Sequence, residues 1–206
     1  MTTETQDKLK AIKQTFRLRM DGMASRSMRE KGLEYHLNWG VSLPDLKQMA
    51  KEYGKDYPLA IELWKENIRE CKILATMIMP PEHMLPEIAE LWMEQADSQE
   101  IAEMLAFNLF QYLDYAPMLA FRWIAGNEEL PQVCGYHVLA RLFMQGREPN
   151  ERGIHELIDQ ALTALQGSSL AVSHAALTCI QRFASLGDEY AQIAKSAIKS
   201  INLELF

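Results

Sequence analysis

Two short amphipathic helices in immediate succession constrain this chain more than any other feature. They read YPLAIELWKENIRECKILATMIM over Tyr57–Met79 and are closed by Pro80-Pro81. The first apolar stripe comprises Leu59, Ile61, Leu63 and Trp64. The second comprises Ile73, Leu74, Ile78 and one side of Met77, with the junction near Asn67. A pair this short cannot bury both stripes by itself. It needs similar pairs on either side, the requirement that generates a helical solenoid.

Start and stop signals repeat along the rest of the chain at the matching interval. Ser42-Leu43-Pro44-Asp45 has capping-box spacing and Gly54 closes the helix it opens. Asp56 and Pro58 start the next. Pro80-Pro81 is expected to start a helix running to about Gln95, and Asp97-Ser98-Gln99-Glu100 one running to about Leu113. Asp114 with Pro117 should open a helix ending at Gly126, Pro131 one ending at Gly146, and Pro149-Asn150 one ending at Gly167. Ser168-Ser169 and Asp188 begin the last two. Short loops between helices imply antiparallel neighbours. No segment alternates apolar and polar long enough for a strand.

The inner helices resemble one another: Ile73-Leu74-Ala75-Thr76-Met77, Val138-Leu139-Ala140-Arg141-Leu142 and Ala176-Leu177-Thr178-Cys179-Ile180, with Leu105–Leu109 between the first two. A recurrence of roughly 30 to 40 residues suits a two-helix repeat of the HEAT type. The expected fold is all-α, about a dozen helices in antiparallel pairs forming a curved, right-handed solenoid, as one domain over residues 1–206.

Charge is unevenly spread. The net charge is −7, yet residues 1–32 hold eight Lys/Arg against four Asp/Glu, which leaves −11 for the remainder. No Lys or Arg lies between Lys72 and Arg122, while seven acids run from Glu82 to Glu103. Phosphate contact needs clustered cations, and only the N-terminal segment has them; the plainer reading of that segment is a solvated amphipathic helix. Apolar runs are too short for a transmembrane span, and MTTETQDKLKAIKQ lacks the apolar centre of a secretory signal. Cys71, Cys134 and Cys179 are odd in number and sit on apolar faces, so reduced thiols in a cytoplasmic protein are expected.

Several chemistries are missing from the sequence. It has no Gly-rich phosphate loop, no Gly-x-Ser-x-Gly elbow and no HExxH among its five histidines. Cys134 and His137 share a helix at a spacing of three, which suits a buried thiol beside a partly exposed imidazole better than a metal site. The methionines read as pliable core filler.

Particular wording also identifies a family. Gly32-Leu33-Glu34-Tyr35, Asn38-Trp39-Gly40-Val41, Leu43-Pro44-Asp45-Leu46 and Leu63-Trp64, with a later Trp123-Ile124-Ala125, resemble the AlkD-like DNA alkylation repair proteins, which are built from HEAT-type repeats. The likeness covers most of the chain and is densest from residue 32 to 79. It implies a concave face that holds duplex DNA. Catalytic members cradle the damaged nucleotide with two tryptophans, an aspartate and an arginine. No metal or other cofactor is expected, and no general acid is needed, because an N-alkylated purine is cationic and leaves neutral. A carboxylate then stabilises the sugar cation that develops, and indole faces pack against it.

Carried over by this resemblance, the first tryptophan position is Gln99 and the catalytic carboxylate is Glu103. The arginine position falls near Gly135 or Tyr136, where there is no cation, and the second tryptophan falls at Cys179, with Arg182 following. An alternative register uses Asp114 with Phe110. DNA contacts are expected from Lys8, Lys10, Lys13, Arg17, Arg19, Gln99 and Arg182, with Tyr136 stacking on the lesion. Glu100 and Glu103 equally suit the first turn of any helix, where the dipole favours acids. Two readings therefore stand: a DNA-binding protein that excises cationic N-alkylated purines, and a catalytically silent HEAT-like scaffold for protein or nucleic acid.

Overall fold

The structure is a computed structural model describing residues 2–201. Among the described residues all regular structure is helical: twelve α-helices and two short 3-10 turns. The chain divides into two compact units, Met1–Ile88 and Ala89–Phe206.

In the first unit α1 (Thr3–Leu18) buries Thr5, Leu9, Ile12 and Phe16, the spacing of one helical face. The basic N-terminal segment is not one helix. It turns at Arg19–Asp21 and continues as α2 (Gly22–Glu30), because the Asp21 carboxylate caps a new helix by accepting from the amides of Met23 and Ala24. α3 (Leu43–Tyr53) is capped by Ser42 and closed by Gly54. α4 (Tyr57–Lys65) and α5 (Arg69–Ile78) meet around Asn67, as their sequence demands. Leu59, Leu63, Trp64, Ile73, Leu74 and Ile78 are all buried. Ile61 is only half-buried and Ala60 takes the buried position, since α4 turns its 59–60–63–64 face inward.

α5 is the inner helix of this unit, packed by both α3 and α4, and it buries even Arg69, Glu70 and Lys72. Each has a structural task. The Glu70 carboxylate accepts from the amides of Trp39 and Val41 at 3.3 and 3.2 Å and lies 3.2 Å from the Arg69 guanidinium. The Lys72 ammonium lies 5.2 Å from the Trp64 ring centroid. Thus the irregular stretch before α3 is held from beneath by a buried charge pair.

The helix expected over residues 81–95 is broken. A 3-10 turn at Pro81–His83 is followed by α6 (Pro86–Glu94), because Pro86 drives Leu85 out of helical backbone. α7 (Gln99–Asn108) likewise stops short of Leu113. The 3-10 turn Phe110–Tyr112 lets Phe110 pack on Trp123 at 5.3 Å and lets the Gln111 amide reach the Phe107 carbonyl. Asp114 caps nothing: α8 (Ala116–Ile124) starts at Tyr115 without a side-chain cap.

The second unit is organised on α9 (Glu129–Met144), which α7, α8 and α11 (Leu170–Ala184) all pack against. Nine of its residues are buried and they go round the helix, which is why it shows little amphipathic contrast. Gly135 makes the α8–α9 approach possible, for a Cβ there would lie 2.8 Å from the Ala120 carbonyl oxygen and 2.9 Å from Ile124 Cγ2. α10 (Glu151–Gln166), capped by Asn150, and α12 (Asp188–Ser200) complete the unit against α11.

Candidate functional site

α7 and α9 bring together a compact group of polar and aromatic side chains. On α7, Gln99, Glu103 and Phe107 follow one another at intervals of four and share a face. On α9, His137 and Arg141 do the same. The Gln99 amide donates to Glu103 Oε1 at 2.8 Å, and His137 Nε2 lies 3.8 Å from the same oxygen, too far for a hydrogen bond. The His137 ring meets Phe107 edge-on at 5.0 Å, and the Arg141 guanidinium lies 4.5 Å from the centre of the Phe107 ring.

Burial, reinforced by Arg141 one turn along, holds His137 down at about 4. The nearby carboxylate is outweighed. At neutral pH the imidazole beside the Glu103 carboxylate is therefore neutral. Glu103 is about one-quarter exposed, oriented by Gln99 and open to solvent. Arg141 has no carboxylate partner among the described residues, so its charge is held by a ring and not neutralised.

This partly supplies what the sequence reading found missing. A cation does lie on α9, from Arg141 over the Phe107 ring, more than one turn beyond Gly135 and Tyr136. The signal was present as His137 and Arg141, four apart. It carried no meaning until α7 packed on α9. Other candidate positions fare differently. Tyr136 is fully buried, its hydroxyl has no hydrogen-bond partner among the described residues, and burial pushes its pKa up. It has no face to offer a lesion, because α9 turns that side into the core. Cys179 is fully buried on α11, whereas Arg182 is exposed one turn on. In the alternative register Asp114 is exposed but Phe110 is core, so no aromatic face accompanies that carboxylate. Cys134 is buried with its thiol pushed up, as are Cys71 and Cys179. No group of three or more metal-ligating side chains occurs among the described residues.

In the first unit three of the five expected phosphate contacts are engaged by carboxylates. Lys8 pairs with Glu4 and Asp56, Lys13 with Glu66 at 2.9 Å, and Arg19 with Asp45 at 2.6 Å. Lys10 and Arg17 are exposed and have no such partner among the described residues.

The class of fold is that of the HEAT-like repeat proteins. The chain superposes on a solved structure with a TM-score of 0.78 at 19% identity, over 91% of this chain and 82% of that one. That structure is described as belonging to a new family of proteins related to the HEAT-like repeat DNA glycosylases with affinity for branched DNA structures. Residues 12–145, well over half the chain, match the family described as DNA alkylation repair enzyme, and the protein belongs to that family. No curated protein matches the chain closely enough to add to this. No helix among the described residues is long and apolar enough to cross a membrane.

Proposed function

We propose that the protein binds DNA through the α7–α9 face of its second unit and that Glu103 is the carboxylate available to a cationic N-alkylated purine nucleotide there. The observation that carries this reading is the grouping of an oriented, solvent-open carboxylate with an unneutralised guanidinium on an aromatic ring. Arg141 would anchor a phosphate, Gln99 would fix the carboxylate, and Glu103 would face the positive charge that develops on the sugar as the base departs. His137, neutral, would adjoin that charge without opposing it. Excision should be slow, since Gln99 and Cys179 replace the two indoles that the family resemblance expects.

The test is release of 7-methylguanine or 3-methyladenine from alkylated duplex DNA. Glu103→Gln keeps shape and removes charge, and it should lower the rate by two to three orders of magnitude, about 3–4 kcal/mol. Release unaffected by Glu103→Gln would move the chemistry off α7. A second reading, affinity for distorted DNA without excision, is favoured by the burial of Cys179 and by the affinity for branched DNA ascribed to the similar structure. No release from protein demonstrably bound to DNA would select it.

A further inference from the structure

Leu18, Met20 and Met23 are 86%, 64% and 84% exposed; Leu18 ends α1, Met20 lies in the turn that follows, and Met23 stands in the first turn of α2. Large apolar side chains gathered at one exposed corner are unusual on a protein that leaves them uncovered. Cations flank them. Residues 17–31 contain Arg17, Arg19, Arg26, Arg29 and Lys31 against Asp21 and Glu30 only. Met23 and Arg26 lie three apart on α2, on one face.

The corner is also rigidly built. The Arg19 amide donates to the carbonyls of Thr15 and Phe16, and the Asp21 amide to the Trp39 carbonyl at 2.9 Å. The Asp21 carboxylate accepts from Met23 and Ala24, Ser25 Oγ donates to the Asn38 carbonyl, and the Arg19 guanidinium is held by Asp45. Beneath it Gly40, at φ +72°, comes so near that a Cβ would stand 2.2 Å from the Asp21 carbonyl oxygen. The three apolar side chains are thus presented on backbone already fixed, and ordering the backbone on binding has little further cost.

Resting on the DNA-binding reading above, we propose that this corner is an apolar wedge that inserts at an unstacked step or branch point of DNA, with Arg17, Arg29 and Lys31 on the flanking phosphates, since Arg19 and Arg26 are held by Asp45 and Glu30. Apolar side chains ringed by cations have the chemistry for this. Exposed base faces at a branch point accept Leu and Met, and the phosphates around them require positive charge. Continuous duplex offers the phosphates but no open base face, so the wedge confers preference and not merely affinity.

The experiment uses the full chain, a four-way DNA junction carrying 2-aminopurine at the branch point, and a continuous duplex of the same sequence. Wild type should bind the junction more tightly and brighten the 2-aminopurine. Replacing Leu18, Met20 and Met23 by Ser, with every charge intact, should lower junction affinity about tenfold, abolish the brightening and leave duplex affinity unchanged. Met23→Ser alone should reproduce part of the loss, and an unchanged melting temperature ensures that the loss is local. If the triple variant keeps both the preference and the brightening, the wedge is overturned while the DNA-binding reading survives. If wild type binds neither DNA, both are overturned. Co-flotation with phosphatidylglycerol vesicles in the absence of junction preference would reassign the corner to an anionic membrane surface.

Discussion

Gly40 carries one of the sharpest local demands in the molecule. Its φ of +72° lies in the left-handed region, and its Cα faces the Asp21 carbonyl. Gly40→Ala adds both backbone strain and a clash that only movement of the α1–α2 corner relieves. We expect a loss of about 2–4 kcal/mol in urea unfolding; a loss under 1 kcal/mol would mean the corner yields freely. His137 makes a second prediction at this scale. Its folded pKa of about 4 lies below the ordinary value of 6.5, so between these limits the unfolded chain binds the extra proton. Stability from this residue is complete above about pH 6.5 and is lost as pH falls towards 4, by roughly 2–3 kcal/mol. His137→Phe should flatten the pH dependence of the melting temperature in that window; an equally steep curve would place the titration elsewhere.

Among elements, α4–α5 shows how a short helix pair becomes stable. Trp64 is 4% exposed and is covered by Lys72 from α5, so the tryptophan belongs to both helices. Trp64→Ala should cost about 3–5 kcal/mol, read as a lowered melting temperature, and an unchanged one would show the stripe to be superficial. The same stretch shows what one-dimensional pattern can carry. The apolar spacing of Leu59, Leu63, Trp64, Ile73 and Leu74 is local and was legible. The break before Pro86 is equally local, since a proline disfavours helical backbone at the residue before it. The end of α7 at Asn108 has a different origin: Phe110 gains its partner Trp123 from a later helix, and no spacing within α7 announces that.

For the whole molecule, the charge pattern has to be corrected by the fold. The N-terminal segment, with eight cations in residues 1–32, is expected to meet phosphates through Lys8, Lys10, Lys13, Arg17 and Arg19, but Lys8, Lys13 and Arg19 turn to Asp56, Glu66 and Asp45. Lys10, Arg17, Arg29 and Lys31 remain unpaired among the described residues. These four and the Arg141 anchor proposed above make five phosphate contacts, which predict a slope of log affinity against log salt of about −4 to −5. Reversing Lys10 and Arg17 to Glu should reduce its magnitude by roughly 2, whereas reversing Lys13 should act mainly on stability by freeing Glu66. A slope that stays steep in the double variant would shift DNA contact to other cations.

The sequence by itself determined the helices, most of their caps and the family, because apolar periodicity, proline and capping side chains act within a turn or two of the chain. It also placed Glu103 one turn beyond Gln99 on the same helix face, since residues four apart on a helix are neighbours. Only the tertiary structure decided which cations are free, that Tyr136 is core, that His137 stands beside the Glu103 carboxylate, and that Arg141 lies over the Phe107 ring. Those facts depend on which faces of α7 and α9 meet, and on acids as far as 53 positions from their partners. Pairing at that separation is set by packing of many side chains at once, and no local pattern encodes it.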